Sequence, residues 1–190
     1  SFDLIDCKKY NLILSNNFYN NTISIKNPEY DVFFLGTYDN RFKELKTILT
    51  YLSKNNLNVK AHLYFHNYDH IKQLQNKEIS FFNKQIPFIK SHIYNNNTKI
   101  ILDIAHENQT GLSFRPFDAI GLKKKLITTN TSIENYDFYN TNNIFIWRKE
   151  TTNIPKSFFE TEYQELPIEI FEKYSLKSWI KMPFGGKQNN

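Results

Sequence analysis

The sequence predicts an α/β fold, in which a parallel β-sheet is flanked by helices. Short apolar runs typical of strands buried on both faces alternate along the chain with segments whose apolar residues recur at helical spacing. Residues 101–121 show this order most clearly, because a buried strand is followed by a polar loop with one glycine and then by a helix. The 190 residues are enough for one domain with a sizeable core.

The first predicted strand and helix follow from the apolar pattern. Residues 32–35 form a nearly continuous apolar run, and Asp39 is a good N-cap for the segment after it. We predict a helix from there to Asn55, a second strand over residues 59–65 and a weaker helix over residues 71–85. The helical spacing of the first helix is carried by Phe42, Leu45, Ile48, Leu49 and Leu52.

Pro87 interrupts the helical pattern in the middle of the chain. We predict a short extended piece over residues 88–94 and a turn at residues 95–97, a connection too short for a full crossover helix. The strand over residues 99–105 is expected near the centre of the sheet, since it is almost wholly apolar. The later predicted elements are a helix over 113–122, strands over 125–129 and 143–147, and a last helix after Pro167.

Composition and charge limit the classes of function. The net charge of +5 and the pI of about 9.1 suit an anionic nucleotide sugar or the negative inner face of a membrane. Alternatively, the abundant Asn, Lys and Ile indicate that part of this basicity is the codon bias of an AT-rich genome. Cys7 is the only cysteine, so no intrachain disulfide can form and a reducing, cytoplasmic location is expected. No apolar run approaches the length of a membrane span.

Other common sites are disfavoured by the pattern. His62, His66 and His70 are spaced by four residues, but the first lies in a predicted strand and the others in the loop after it. Their side chains would therefore not converge as helical neighbours do, and no metal site is predicted. Glycine is too scarce for a phosphate-binding P-loop or a dinucleotide fingerprint. Because the basic residues do not cluster on one predicted element, no nucleic-acid partner is expected.

The helix after the central strand is the best candidate for a phosphate site. Ser113 is its predicted N-cap, and the free N–H groups and positive dipole end of a helix both attract anions. Arg115 would add a charge-assisted contact to a diphosphate, and Asp118 is placed one turn further to accept hydrogen bonds from ribose hydroxyls. The alternative is an ordinary turn between strand and helix, in which Gly111 supplies only backbone freedom.

Ligands of open parallel sheets bind outside the carboxyl ends of the strands, where the strand order switches. Arg41, in the first turn of its helix, would stabilise a leaving diphosphate or else is a solvated helix residue. Tyr94 would stack on a nucleobase whose edge the Ile93 backbone reads, although tyrosine is abundant here and usually packs. The three predicted loops gathered by this rule are residues 36–41, 92–95 and 106–115.

One long segment and several shorter ones carry a resemblance to a known family. The long segment is residues 106–121, with Gln-Thr-Gly-Leu-Ser-Phe-Arg from Gln109 to Arg115 at its centre. The shorter ones are residues 31–38 with Arg41, 124–130, 136–140 and 143–146. Together they resemble the C-terminal domain of bacterial lipopolysaccharide and capsule glycosyltransferases of the GT-B architecture. Members usually carry Glu where this chain has Asp118, so a shorter side chain must make the ribose contact.

The resemblance implies a Rossmann-like domain that is one half of a GT-B fold. Residues 31–184 would be the nucleotide-sugar-binding domain, residues 1–30 a linker or remnant of an N-terminal domain, and residues 185–190 a disordered tail. The implied reaction transfers a sugar from a nucleotide-diphosphate sugar to a surface polysaccharide or lipopolysaccharide acceptor. A missing N-terminal domain would bind this glycan or lipid-linked acceptor and hold any general base, so this chain alone is expected to bind donor and turn over little or nothing.

The predicted site residues follow from the loops and the resemblance together. Arg115 and Arg41 are the predicted catalytic residues, and no metal or other cofactor is required if N–H donors and arginines stabilise the diphosphate. The alternative function is a non-catalytic Rossmann-like interaction domain that retains a nucleotide-like pocket. The predicted donor-binding residues are Gly36, Thr37, Ile93, Tyr94, His106, Gln109, Thr110, Gly111, Leu112, Ser113 and Asp118.

Overall fold

Six strands form one sheet in the computed structural model, which describes residues 4–107, 109–151 and 153–184. The strands are β1 (Tyr30–Thr37), β2 (Val59–Tyr64), β3 (Ile79–Phe82), β4 (Thr98–Asp103), β5 (Lys125–Thr128) and β6 (Ile144–Ile146). Their order is β3-β2-β1-β4-β5-β6, and every neighbouring pair is parallel. The predicted α/β fold with a Rossmann-like parallel sheet is therefore confirmed, and β4 lies inside the sheet as expected.

The sheet is flanked by helices along its length. They are α1 (Leu4–Tyr10), α2 (Phe42–Lys54), α3 (Phe88–Asn96), α4 (Phe114–Gly121), α5 (Lys156–Glu160), α6 (Ile168–Lys173) and α7 (Leu176–Phe184). Short 3-10 helices cover Tyr68–Leu74 and Thr131–Asn135. Within the described ranges, none of the helices has the length and apolar character needed to cross a bilayer.

All carboxyl ends of the strands lie at one edge of the sheet, called the carboxyl edge below. The chain moves outward from β1 to β3 and then returns to β4 on the other side of β1. The direction of strand addition therefore reverses between β1 and β4, and this pair is the switch point. The loops that follow β1 and β4 consequently begin side by side at the carboxyl edge.

Alternate residues of β1 supply the cores on the two faces of the sheet. Val32 and Phe34 face a cluster that contains the buried stripe of α2. Phe33 faces the opposite side, where it packs against Tyr94 of α3. The α4 side of the sheet holds a second cluster, whose fully buried members include Ile101, Phe117 and Leu126.

The weaker helix predicted over residues 71–85 is wrong in its second half. Only the 3-10 helix at Tyr68–Leu74 is helical in this region, and residues 79–82 form the edge strand β3. Ile79 and Phe81 are buried while their neighbours are partly exposed, which is the period-two pattern of a strand. Four residues are too few for this alternation to stand out from the preceding helical spacing.

The extended piece predicted over residues 88–94 and the turn at residues 95–97 are also wrong. Residues 88–96 form the helix α3, which connects β3 to β4 across the sheet, so the connection does contain a crossover helix. Pro87 directly precedes the first turn of α3 and does not interrupt a helix. Proline is favourable there because the first turn of a helix does not use its N–H in an internal hydrogen bond.

The segment from Asn17 to Glu29, called the N-terminal strap below, lies against α4 and α3. Asn17 Nδ2 donates to the Leu112 carbonyl at the start of α4 (2.8 Å), and the Ile25 N–H donates to Asn96 Oδ1 at the end of α3 (2.9 Å). Between them, Tyr19 is buried and pairs with Ser175 in an isolated bridge. The strap thus packs on the sheet domain; the assignment of residues 1–30 as a linker or remnant stays a prediction. The disordered tail predicted at residues 185–190 lies outside the described residues.

Candidate functional site

The loop between β4 and α4 is held in place by three consecutive residues at the end of β5. Each of them makes a side-chain hydrogen bond to a different part of this connection, and the Thr129 N–H also donates to the Asp103 carbonyl (3.1 Å). The side-chain bonds are Thr128 Oγ1 to Asp103 Oδ2 (2.8 Å), Ala105 N to Thr129 Oγ1 (2.9 Å) and Asn130 Nδ2 to the Gly111 carbonyl (3.2 Å). The loop that carries His106 and the predicted residues 109–113 is therefore fixed from the neighbouring strand.

Asp103, the last residue of β4, is the buried centre of this arrangement. Its side chain is 2% exposed and accepts hydrogen bonds from Ser113 Oγ (2.9 Å) and Arg115 Nη1 (3.2 Å) as well as from Thr128. A buried carboxylate is tolerated only when charge and hydrogen bonds compensate it. Asp103 therefore ties α4 to the ends of β4 and β5.

The start of α4 agrees with the predicted cap. Ser113 is the N-cap, and its Oγ accepts a hydrogen bond from the Arg115 N–H at 3.3 Å. Leu112 is 1% exposed, so its side chain belongs to the core and only its backbone remains for a ligand. The positive dipole end of α4 points to the carboxyl edge.

Arg115 crosses from α4 to the end of β1. Its Nη2 and Nε donate to the Leu35 carbonyl at 2.6 and 3.1 Å, and its guanidinium lies 4.9 Å from the Phe34 ring centre. A Cβ at Gly36 would lie 2.6 Å from the Phe34 ring and 3.2 Å from Arg115 Nη2. Glycine is needed at position 36 because the phenyl ring and the guanidinium approach the backbone so closely.

Arg41 crosses in the opposite direction, from the start of α2 to the end of β4. Its Nη1 donates to the Ile104 carbonyl at 2.8 Å, and its Nε and Nη2 bind the Asp39 carboxylate, the latter at 2.6 Å. The prediction that Asp39 is the N-cap of α2 is wrong, because Arg41 holds that position and has no side-chain cap. Asp39 instead accepts the Arg41 backbone N–H and orients the guanidinium of the same residue.

The two arginines therefore brace the switch point, and each is balanced by its own carboxylate. Burial opposes ionisation of Asp39, but hydrogen bonds from Arg41 hold its pKa below the ordinary value. The Arg41 side chain is only 10% exposed and that of Arg115 19%. Both guanidinium groups have five N–H donors and use three nitrogens within the protein, so a diphosphate would have to use the remaining N–H donors or replace a protein partner.

Asp118 faces α3 and not the carboxyl edge. It is 9% exposed, and its Oδ2 accepts a hydrogen bond from Asn95 Nδ2 at 2.8 Å. Burial raises its pKa to about 6, and the Asn95 hydrogen bond and the positive charge of Arg115 offset this only in part. Asn95 Oδ1 is buried and has no hydrogen-bond partner among the described residues. A ribose reaches Asp118 only if this contact between α3 and α4 opens.

The loop predicted at residues 92–95 does not exist, which removes the geometric basis of the nucleobase site. Ile93 and Tyr94 lie in the second half of α3. The Tyr94 ring is stacked on Phe33, with 6.2 Å between the ring centres and 13° between the planes, on the face of the sheet. Ile93 is 58% exposed on the outside of α3. Neither residue lies in a loop at the carboxyl edge.

The remaining predicted residues lie at the carboxyl edge, and four of them border two separate cavities. Gly36 and Thr37 line a small cavity of about 130 Å³ beside the ends of β2 and β3. Thr110 and Gly111 line a larger one of about 380 Å³ next to the start of α4. Gln109 is half-buried, and its backbone N–H donates to the carbonyl of His106, whose half-exposed ring lies 3.9 Å from Asp39.

The histidines form no metal site in the described part of the chain. His62 packs edge-on against Phe33 and Tyr94, and burial lowers its pKa. Across residues 4–107, 109–151 and 153–184, no three His, Cys, Asp or Glu side chains come together in a way that would hold a metal ion.

Sequence reasoning missed the carboxylates that organise the site. Asp103 is the polar residue that interrupts the apolar run at residues 100–104, and a polar residue inside a buried strand indicates a buried partner. That signal was sufficient to single out Asp103. Asn95 gave no comparable signal, because its role depends on α3 being a helix.

Comparisons with known proteins add no assignment to this geometry. No protein-family model matches the chain, and neither the curated proteins nor the solved structures include a match to it.

Proposed function

We propose that the chain is the donor-binding domain of a glycosyltransferase that takes a sugar from a nucleotide-diphosphate sugar. The acceptor would be a bacterial surface polysaccharide or lipopolysaccharide, bound by a second domain, and work at the inner face of a membrane is compatible with the net charge of +5. The observation that carries the proposal is the start of α4, where a capped helix N-terminus and Arg115 meet the switch point of a parallel sheet.

The proposed chemistry needs positive partial charges more than it needs a base. Departure of a nucleoside diphosphate leaves negative charge on its oxygens, and preorganised N–H donors that meet this charge lower the barrier. The backbone of residues 111–113 and the Arg115 guanidinium would be those donors. Arg41 would act from the β1 side of the switch point, through N–H donors that do not bind Asp39 or Ile104.

A second candidate is a non-catalytic interaction domain with the same fold. It is favoured by the pairing of both arginines with carboxylates and by the burial of Asp118 against Asn95. Such a domain would retain a nucleotide-like but degenerate pocket, which would not bind nucleoside diphosphates, and would use its carboxyl edge for a protein contact. The two candidates are therefore separated by a binding experiment.

The test is a thermal-shift panel of nucleoside diphosphates with the 190-residue chain. A ligand that binds the folded chain should raise Tm by about 5–10 °C at a hundredfold excess over its Kd. Gln109→Glu places a negative charge beside the start of α4, so it should weaken diphosphate binding by about five- to tenfold. The matched control is Gln75→Glu, which adds the same charge at an exposed position before β3.

The expected pattern is stabilisation of the wild type and of Gln75→Glu, with a smaller shift for Gln109→Glu. If no nucleoside diphosphate stabilises the wild type, donor binding is wrong and the interaction domain is the better assignment. If both variants lose binding equally, the diphosphate does not lie at the start of α4.

A further inference from the structure

The contact between Asn95 of α3 and Asp118 of α4 leaves one polar atom unpaired. Asn95 Nδ2 donates to Asp118 Oδ2 at 2.8 Å, whereas Asn95 Oδ1 is buried and receives no hydrogen bond from the described residues. Asn95 is 3% exposed and Asp118 9%, so bulk water does not supply the missing donor. A buried acceptor without a donor destabilises the fold, because its hydration is lost without replacement.

A proton on Asp118 would supply the missing donor. A neutral carboxyl group has one O–H donor and keeps acceptor capacity, and the amide of Asn95 has the complementary N–H donor and C=O acceptor. The two groups can then pair through two hydrogen bonds, from Asn95 Nδ2 to Asp118 Oδ2 and from Asp118 Oδ1 to Asn95 Oδ1. An ionised carboxylate only accepts, so it allows the first of these bonds and not the second.

The charges nearest to Asp118 do not fully compensate a buried carboxylate. Burial raises the pKa of Asp118 to about 6. The Asn95 hydrogen bond, Arg115 on the same helix and His92, one turn before Asn95 on α3, all act in the opposite direction but offset only part of this effect. The neutral carboxyl is therefore the form that suits this contact below pH 6.

Within the described ranges, charged groups on the other elements packed against α4 have their own partners. Asp103 of β4 is paired with Arg115, and Lys125 Nζ of β5 donates to the Phe158 carbonyl. The part of the N-terminal strap from residue 19 to residue 25 contains no Asp, Glu, Lys, Arg or His. The carboxyl between α3 and α4 therefore titrates under the influence of these two helices.

The N-terminal strap is attached to the same two helices. On the α3 side, Asn96 Oδ1 accepts from the Ile25 N–H at 2.9 Å and Asn96 Nδ2 donates to the Ile23 carbonyl at 2.7 Å. On the α4 side, the Asn17 amide donates to the Leu112 carbonyl. Because Asn96 directly follows the residue that contacts α4, separation of the last turn of α3 from α4 would disturb both ends of the strap.

We propose that Asp118 carries a proton that it donates to Asn95 Oδ1, and that this pair is a pH-dependent latch that holds the N-terminal strap. The pair with both hydrogen bonds is called the α3–α4 latch below. Loss of the proton leaves Asn95 Oδ1 unpaired and places a negative charge in the contact. Both effects favour separation of the last turn of α3 from α4 and release of the strap from Asn96.

The latch predicts how the strap responds to pH. The pKa of Asp118 is about 6 in the closed contact, and its ordinary value of 3.8 applies where the open contact admits water. Because the closed form has the higher pKa, its extra stability is complete below pH 3.8 and is lost as pH rises through 6. The equilibrium constant for closing should fall about tenfold between pH 5 and pH 7 and change little above pH 7.

Amide hydrogen exchange on the 190-residue chain measures this change. The reporter is the Ile25 N–H, whose protection factor, corrected for the intrinsic pH dependence of exchange, should fall about tenfold between pH 5 and pH 7. The Ile101 N–H of β4 reports global unfolding, since this residue is fully buried in the sheet. Ile25 should be less protected than Ile101 at every pH, because the strap opens without the sheet.

Three variants make the test specific to the latch. Asp118→Asn replaces the O–H donor by an N–H donor that needs no proton, so the pH dependence of Ile25 protection should disappear. Asn95→Ala removes both bonds and admits water, so Ile25 protection should be low already at pH 5, and the midpoint of the Asp118 Cγ chemical-shift titration should move from about 6 toward 3.8. The matched control is Asp137→Asn.

At Asp137 the effect of burial is outweighed by hydrogen bonds from Lys173 and Tyr174, which lower the pKa of this carboxyl. Asp137→Asn should therefore leave the ratio of Ile25 protection at pH 5 and pH 7 as in the wild type. Asn95→Ala keeps the test valid if Asp118→Asn folds poorly, because its two readouts do not use that variant.

A tenfold fall in Ile25 protection that Asp118→Asn abolishes supports the latch. Protection that is equal at pH 5 and pH 7, or that falls as much in Asp118→Asn, overturns it. Equal protection of Ile25 and Ile101 also overturns it, because the strap would then open only with the whole domain. A midpoint that stays at about 6 in Asn95→Ala shows that Asn95 does not hold the proton. None of these results depends on whether nucleoside diphosphates bind.

Discussion

Three carboxylates near the start of α4 and α2 differ in what surrounds them. Asp103 contacts Arg115, and Asp39 contacts Arg41, so a guanidinium lies within hydrogen-bonding distance of each. The side-chain hydrogen bond that Asp118 accepts within the described part of the chain comes from the neutral amide of Asn95. The burial of Asp118 is therefore less well compensated, and its pKa is raised to about 6.

Asp118→Asn should make the chain more stable above pH 6. Because the pKa of Asp118 is higher in the folded chain than its ordinary value of 3.8, the carboxyl contributes most stability below pH 3.8. That contribution is lost as pH rises toward 6, and the total loss is about 2–3 kcal/mol. Asparagine has no proton to lose, so urea unfolding should show the variant gaining on the wild type between pH 4 and pH 7.

The comparison between variant and wild type cancels the other titrating groups. Asp31 and Asp39 have lowered pKa values, and the stability they contribute is lost as pH falls, in both proteins alike. A constant difference in unfolding free energy between pH 4 and pH 7 would show that the pKa of Asp118 is not raised. A ribose contact by Asp118 would be seen in a separate binding measurement by calorimetry. Asp118→Ala would then lose more affinity for ribonucleotides than for dideoxynucleotides, which lack the ribose hydroxyls.

The elements that sequence pattern predicts well here are those with long, regular burial. The stripe of α2, the apolar runs of β1 and β4 and the Ser113 cap of α4 are all present as expected. The strand β3 and the helix α3 were not predicted. β3 has only four residues, and the described side chains of α3 form no buried apolar stripe at helical spacing. Tertiary packing across the sheet determines both of them.

Some parts of the candidate site could also be predicted from the sequence, and others could not. The rule that ligands bind at carboxyl ends correctly places Arg115 beside Gly36 and Arg41 beside the end of β4. The sequence marks Asp103 as a polar residue in a buried strand, but it does not show the contact of Asp103 with Arg115, which only the fold makes. The assignments of Ile93 and Tyr94 lose their geometric basis, because they depended on a loop over residues 92–95 where the chain forms a helix.

Gly121→Ala should lower stability although alanine is the better helix former. A Cβ at Gly121 would lie 2.5 Å from the Asn21 carbonyl oxygen and 2.7 Å from Tyr19 Cβ, so the N-terminal strap must move away from α4. The gain in helix propensity is about 1 kcal/mol, and overpacking costs about 1–3 kcal/mol. We expect a net loss in urea unfolding and faster proteolytic cleavage within residues 17–29. A variant as stable as the wild type, with unchanged cleavage, would show that the strap does not pack on α4.

The groups that could bind a ligand lie together at one edge of the sheet. The carboxyl edge holds the capped start of α4, both bracing arginines and the cavity lined by Thr110 and Gly111. The opposite edge holds the ion pair of Lys99 with Asp31 and the hydrogen bond from the Glu29 N–H to Asn97 Oδ1 at the end of the strap. A ligand that uses the helix dipole must approach from the carboxyl edge. The net charge of +5 adds a general attraction for anions but does not select the edge.

The most direct test of the account is amide chemical-shift mapping of the isotope-labelled chain, titrated with the nucleoside diphosphate that stabilises it most. Diphosphate binding at the start of α4 should give the largest changes at residues 109–115, smaller ones at Gly36 and Arg41, and none at residues 55–58 and 96–98 of the opposite edge. The contradicting result is a set of changes centred on the opposite edge, or no change at residues 109–115 with any nucleoside diphosphate.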